Sequence, residues 1–234
     1  MKRAEIPTAI EMGTKLDYLS RLLFREQLIH YRSKSHIDKL SKQLKELGAT
    51  KTWQYLIQVS KPIEFVPMTD KKLSHIAPRV YLTVAVKSPD KEGISPFTRL
   101  VTVIEVWDIL NGELQSRWHI DLANCQKKGA YQAGPLFHLQ GGGLLMPQAE
   151  KTKELKVSIP RWAYPPMELI LTSEMIVANF YPDKWKKIRG QKKWLELVYV
   201  AQRLCYPTYF QRIQKCLSEQ PQSVLNALWA TDWG

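Results

Sequence analysis

The run 182–194 combines six cationic side chains, two indoles and one acid, Asp183. Its cations and indoles are Lys184, Trp185, Lys186, Lys187, Arg189, Lys192, Lys193 and Trp194. Cations neutralise phosphates and release counterions, and a flat aromatic ring among them can stack on an unpaired base. The run therefore predicts contact with nucleic acid, either DNA or RNA.

A second basic stripe lies near the N-terminus, at roughly helical spacing. Its members are Lys34, Lys39, Lys42 and Lys45. The whole chain has 34 Lys and Arg against 22 Asp and Glu, a net charge of +12. Such an excess favours a polyanionic partner, such as nucleic acid, an acidic membrane surface or an acidic protein. The competing interpretation is ordinary solvated surface charge.

His119, Asp121 and His138 come closest to a catalytic or metal-binding set. Two imidazoles and a carboxylate would suit a metal-dependent or histidine-assisted hydrolase or nuclease. The alternative, which we favour, is a pair of surface histidines that never meet. The sequence has no HExxH, no CxxC, no Walker A motif and no nucleophile elbow. We therefore expect no cofactor and no bound metal.

Glu105 is an acid within an apolar β pattern. Buried acids have perturbed pKa values and are enriched at functional sites. A nuclease built on such an acid would need lysine two residues later, and Trp107 occupies that position. We therefore expect Glu105 to lie near a sheet edge and to pair with a neighbouring arginine.

Hydrophobic periodicity predicts an α+β fold in one domain. An N-terminal helical hairpin is expected over residues 1–48, a central antiparallel sheet of about five strands over 52–159, and a C-terminal helical layer over 165–230. A last strand is expected near 155–159.

Capping residues predict where the helices begin and end. Thr14 is expected to cap a helix over 14–30, and Ser33 or Ser35 a second helix that ends at Gly48. Pro165 and Pro166 are expected to open the helix over 167–180, since proline suits a first turn.

Asn111 and Gly112 stand between two apolar runs, the strongest short signal for a β-hairpin. A two-residue turn would place both residues at positive φ. In that register Glu105 faces Trp118, and His119 faces Ile104 on a mostly polar face, where it meets no second metal ligand.

Cys125, Cys205 and Cys216 make an odd number of cysteines, and the N-terminus has no secretory pattern. Reduced thiols in a cytoplasmic protein are therefore expected. No run of eighteen apolar residues occurs, so no membrane association is expected. The eight tryptophans also suit a protein–protein interaction module with a tryptophan-rich interface.

Four segments form a pattern around His138: Phe137–Gly142, Ile159–Arg161, Pro165–Leu171 and Asn179–Tyr181. The pattern resembles the C-terminal half of an uncharacterised bacterial protein family, over residues 136–181. That family carries two histidines in the first segment, whereas this chain has one. The resemblance implies a bacterial accessory protein of the genome-defence (antiviral) or mobile-element kind, and brings no activity with it.

These patterns together predict a basic cytoplasmic protein that binds nucleic acid, or acts as an adaptor, beside protein partners in a larger assembly. A catalytic role is the less favoured alternative.

Overall fold

The chain is α+β, with helices before and after an antiparallel sheet along the sequence. The computed structural model describes residues 6–68, 73–89, 93–123, 125–127, 130–142, 160–219 and 223–230. In this part of the chain the helices are α1 (Ala9–Arg25), α2 (Tyr31–Glu46), α3 (Leu169–Phe180), α4 (Pro182–Ile188), α5 (Lys192–Cys205), α6 (Pro207–Glu219) and α7 (Val224–Ala227). The strands are β1 (Trp53–Ile57), β2 (Ile63–Glu64), β3 (Ile76–Val86), β4 (Phe97–Asp108), β5 (Glu113–Leu122), β6 (Cys125–Lys127), β7 (Ala130–Tyr131), β8 (Phe137–Gly141) and β9 (Trp162–Ala163).

The first helix begins earlier than its apolar stripe suggested. Thr8 caps α1, because its Oγ1 accepts a hydrogen bond of 3.3 Å from the Glu11 N–H. The predicted cap, Thr14, lies inside the helix and donates to the Ile10 carbonyl at 2.8 Å. The helix ends near Gln27, which has a φ of 54°.

The second helix also begins earlier than predicted, at Tyr31, so neither Ser33 nor Ser35 caps it. Gly48 follows it at a φ of 72°, as expected for a residue just past a helix end. The buried Ser33 hydroxyl instead reaches β2, where it donates to the Glu64 carbonyl at 3.1 Å and accepts from the Glu64 N–H at 2.9 Å.

The two N-terminal helices touch at Gly13. A Cβ at this position would lie 2.8 Å from the Ser41 carbonyl oxygen, too close for any real side chain. Ser41 Oγ in turn donates to the Gly13 carbonyl at 2.8 Å. The absence of a side chain at Gly13 therefore lets α1 and α2 approach backbone to backbone.

The main sheet has the order β1-β3-β4-β5-β8-β9, and β2 also pairs with β3. All of these pairs are antiparallel. Strands β6 and β7 form a separate two-stranded sheet. The strand expected over 155–159 lies outside the described residues, and β9 was not expected.

The hairpin between β4 and β5 has a longer turn than predicted. Asp108 pairs with Glu113, so the turn contains Ile109 to Gly112. Gly112 has a φ of 70° but Asn111 does not have a positive φ, so the predicted two-residue turn is wrong. The Asp108 carboxylate closes the turn, since its Oδ1 accepts from the N–H groups of Leu110 (2.9 Å) and Asn111 (3.1 Å).

The longer turn and a bulge near Val106 shift the register by one residue over most of the hairpin. Glu105 faces Arg117, and Val103 faces His119. Successive side chains of a strand point to opposite faces. A shift of one residue therefore moves every β5 side chain to the face opposite the predicted one, relative to β4. The predicted faces of this hairpin are therefore wrong.

One face of the sheet lies against helices. Thr102 donates to the Met167 carbonyl at 2.8 Å, and the Trp53 indole N–H donates to the Pro7 carbonyl at 3.0 Å. A continuous cluster of buried apolar side chains joins this face to both helical regions, from Ala9 to Ala230. The other face carries His119, Asp121 and the neighbouring polar residues.

Helix α3 begins at Leu169 rather than Met167, and a buried acid caps it. Glu168 Oε1 accepts from the N–H groups of Ile170 (2.9 Å) and Leu171 (3.2 Å), and Oε2 accepts from the Tyr55 hydroxyl (3.0 Å). Burial raises the pKa of Glu168 to about 7, although these hydrogen bonds act to lower it. The buried Cys205 thiol lies against the Glu168 backbone, so this acid joins β1, α3 and α5.

The turn geometry predicts a specific loss of stability. Gly112→Ala should lower the free energy of unfolding by about 1–2 kcal/mol, because alanine resists positive φ. No described atom outside the local chain lies within 4 Å of the position of its Cβ, so the loss comes from the backbone alone. Gly190→Ala is the matched control, since Gly190 is equally open and is not at positive φ. Equal losses in urea unfolding of the two variants would contradict the turn assignment.

The Glu168 cap predicts a pH dependence of stability. Its pKa is about 7 in the folded chain against an ordinary value of 4.5, so the folded state holds the extra proton between these values. The free energy of unfolding should therefore fall as pH rises from 4.5 to 7, by up to about 3 kcal/mol relative to Glu168→Gln. Urea titrations of both proteins across this range measure the difference. A constant difference between them would show that Glu168 is ionised throughout.

Candidate functional site

The basic run forms α4, the turn after it and the first turn of α5. Pro182 follows the end of α3 and opens α4, since proline suits a first turn. The turn lies at the C-terminal end of α1, where Lys184 Nζ donates to the Glu26 carbonyl at 2.8 Å. The Arg25 guanidinium donates to Gln191 Oε1 at 3.3 Å. Lys184 is thus a partly buried contact between helices as well as a predicted binding residue.

The two indoles of the run pack on each other. Trp194 is fully buried, and Trp185 is half-buried beside it, with ring centroids 5.9 Å apart and planes at 73°. Trp194 therefore belongs to the core, and its predicted role of stacking on a base is not available to it in this fold. Only Trp185 retains part of its ring at the surface.

Four cations of the run are exposed and unneutralised. Lys187, Arg189, Lys192 and Lys193, named here the α4–α5 corner, are all exposed. None of the acids in the described part of the chain forms an ion pair with them; the nearby Asp183 pairs with Lys186 at 3.6 Å. The corner is therefore a patch of uncompensated positive charge.

The basic stripe on α2 differs from the α4–α5 corner, because most of its lysines form ion pairs with acids. Lys34 pairs with Asp38 at 2.5 Å. Lys42 pairs with Glu46 at 3.9 Å and Lys45 with Asp17 at 3.2 Å. Lys39 is the stripe member for which the described residues supply no ion pair. Local acids thus offset most of this stripe's charge.

The pairing of β5 with β8 places His119, Asp121 and His138 on one face of these adjacent strands. Asp121 faces His138 directly, and His119 faces Gln140. His119 Nδ1 lies 2.9 Å from Asp121 Oδ2. The favoured expectation of separate surface histidines is wrong, since His119 and His138 expose only 8% and 3% of their surfaces.

The hydrogen-bond partners assign the proton on each imidazole. Burial lowers the pKa of His138, although Asp121 acts to raise it, so the ring is neutral at neutral pH. Its Nδ1 lies 3.3 Å from the Pro135 carbonyl, which can only accept, so Nδ1 carries the proton. The carboxylate of Asp121 likewise accepts from His119 Nδ1–H. A neutral imidazole at either position then presents a lone pair on Nε2.

His119 Nε2 and Asp121 Oδ1 are buried atoms without a hydrogen-bond partner among the described residues. Buried polar atoms are normally paired, so unpaired ones call for an explanation. No group of three or more histidine, cysteine or acidic side chains in the described ranges is arranged to hold a metal ion. The arrangement suits proton transfer better than metal binding.

Glu105 belongs to a neighbouring network on the same face. Arg117 donates to Glu105 Oε1 through Nε at 2.9 Å and Nη2 at 2.7 Å, and the Tyr81 hydroxyl donates to the same oxygen at 3.1 Å. Trp107 Nε1 donates to Oε2 at 2.7 Å. The expected arginine partner is confirmed, but the edge location is wrong, because β4 lies between β3 and β5. With its oxygens so occupied, Glu105 has a structural role.

Sequence reasoning missed an exposed aromatic pair beside the corner. Tyr31 exposes 72% of its surface and Phe24 exposes 41%, with ring centroids 6.3 Å apart. The available signal was an aromatic residue followed by arginine on either side of the connection between α1 and α2, at Phe24–Arg25 and Tyr31–Arg32.

The tryptophans do not gather on one surface. Trp162 exposes 56% of its surface, while the other tryptophans of the described residues are buried or half-buried, and Trp233 lies outside them. A tryptophan-rich interface therefore has no support in this part of the chain. No helix within the described ranges has the length and apolar character needed to cross a membrane.

Comparisons with protein-family models, curated proteins and solved structures find no match to this chain. The resemblance of residues 136–181 to an uncharacterised bacterial family therefore stays a prediction.

Proposed function

We propose that the protein binds nucleic acid through the α4–α5 corner. The observation that carries this proposal is the exposed, unneutralised charge of Lys187, Arg189, Lys192 and Lys193. Charges already paired with acids gain little from a phosphate, whereas unpaired lysines and arginine release counterions when phosphate replaces them. The corner is therefore a better phosphate-binding surface than the α2 stripe, although both were expected to take part.

The start of α5 adds to the positive potential. Its first turn has no acidic residue, and the cap residue Gln191 makes no side-chain hydrogen bond to the helix. The N-terminus of a helix carries a partial positive charge, so Lys192 and Lys193 stand where a cation is unfavourable unless an anion is near. A bound phosphate would relieve this repulsion. The proposal extends to the role of an adaptor that works beside protein partners.

Replacing the corner charges tests the proposal. The variant Lys187→Gln, Arg189→Gln, Lys192→Gln, Lys193→Gln should weaken binding and flatten its salt dependence. Four phosphate contacts give a slope of about −3.6 in log affinity against log salt for duplex DNA. The matched control is Lys61→Gln, Lys87→Gln, Arg99→Gln, Lys215→Gln, which removes equal charge from exposed positions outside both basic regions. Fluorescence anisotropy over a salt series measures both. Equal flattening in the two variants would mean that only net charge matters.

A histidine-assisted hydrolase is the second candidate function. The observation that favours it is the shared face of His119, Asp121 and His138, with His119 Nδ1 held by Asp121 at 2.9 Å. A carboxylate that fixes one imidazole nitrogen leaves the other to act as a general base toward water or a ribose hydroxyl. The geometry needs no metal for that step.

This second function predicts RNA cleavage that persists in EDTA. Cleavage should be lost in His119→Ala and in His138→Ala and kept in His30→Ala, which changes an exposed histidine. Protein purified without chelator should contain no stoichiometric metal by elemental analysis. Intact RNA after prolonged incubation with the unmodified protein would eliminate this function and leave nucleic-acid binding untouched.

A further inference from the structure

We propose that Tyr31 and Phe24 form a base-stacking platform for single-stranded nucleic acid. This inference rests on the proposed function and specifies its partner. It takes the place of the two indoles of the basic run, which pack edge to face on each other, with Trp194 buried and Trp185 half-buried.

The two rings are held at the surface by a rigid turn. Between them in sequence, Leu28 and Ile29 are buried. The Leu28 N–H donates to the Leu23 carbonyl at 2.8 Å, and the Leu28 carbonyl accepts from the Val66 N–H at 2.9 Å. Because the turn is anchored on both sides, the exposure of Tyr31 and Phe24 is a fixed feature of the fold.

The rings meet edge to face at 70°, so this contact covers at most one of their four faces. Tyr31 exposes 72% of its surface, a large fraction for a residue whose ring packs on a neighbouring ring. A nucleobase has a flat π face and can stack on such a ring regardless of its sequence. In a duplex the bases already stack on each other, so only unpaired bases can use the platform.

Cations connect the platform to the corner. Arg25 follows Phe24 and reaches Gln191, the residue before Lys192, at 3.3 Å, while Glu26 Oε1 pairs with its guanidinium at 2.8 Å and offsets its charge. Arg32 follows Tyr31 and is exposed. A strand whose phosphates lie along the α4–α5 corner therefore meets further positive charge as it approaches the rings. Interleaved cations and exposed aromatic rings are the combination that single-strand binders use.

The experiment compares binding to a short fluorescein-labelled RNA strand and to its duplex, by anisotropy with the full chain. Tyr31→Ala should lower single-strand affinity about tenfold and change duplex affinity by less than about twofold, within the range of one lost stacking contact. Tyr31→Phe keeps the ring and should retain binding. The salt slope should stay constant, since no charge is removed. Trp162→Ala, which removes an exposed ring elsewhere, should affect neither substrate.

The possible outcomes distinguish a failure of this inference from a failure of the proposed function on which it rests. Unchanged single-strand binding in Tyr31→Ala, while the corner variant loses affinity, would overturn the platform and leave phosphate binding intact. Equal losses on strand and duplex would also overturn it. If the unmodified protein binds neither substrate, both proposals fail, and the ring pair would be better explained as a contact for a protein partner.

Discussion

The carboxylate of Asp108 closes the turn between β4 and β5, and that turn together with the bulge near Val106 decides which residues of the two strands share a face. Since Asp108 accepts from two successive N–H groups, the turn holds four residues. With a bulge near Val106, this geometry aligns Val103 with His119. The Glu105–Arg117 ion pair depends on this alignment, because it joins residues that face each other across β4 and β5. Without the bulge, the same turn would pair Glu105 with Ser116 and place His119 and Asp121 on the opposite face of the sheet.

A second constraint governs the helical side of the sheet. Glu168 is an acid with no exposed surface, and it accepts hydrogen bonds from α3 and from Tyr55 on β1. Burying a carboxylate is unfavourable unless its lone pairs are occupied, so the position of α3 over the sheet is tightly specified. Because α4 and α5 continue from α3, this one acid helps to set where the basic corner meets the end of α1.

The fold class and most secondary-structure elements could be predicted from the sequence, because hydrophobic periodicity and proline or glycine signals are local. The hairpin register did not, because Asn111–Gly112 fits several turns. Asp108 decided the length of the turn, because its carboxylate accepts from the turn's N–H groups, and the bulge near Val106 then decided the faces. The prediction of the binding residues was wrong for a similar reason. Trp194 lies both in a charge run and on the apolar stripe of its helix, and packing decided in favour of the core. The shared face of His119 and His138 depends on the pairing of β5 with β8, which local sequence does not encode.

The Ser33 hydroxyl has a consequence for self-association. The edge of a sheet exposes unpaired N–H and carbonyl groups to which another chain can add a strand. At β2 this hydroxyl occupies both the N–H and the carbonyl of Glu64, and Ile29 forms a β-bridge with the adjoining Phe65. The N-terminal hairpin thus caps this edge as a neighbouring strand would. A second copy of the chain could therefore extend the sheet at this position only by displacing the N-terminal hairpin, so this part of the edge resists growth of the sheet from one copy to the next.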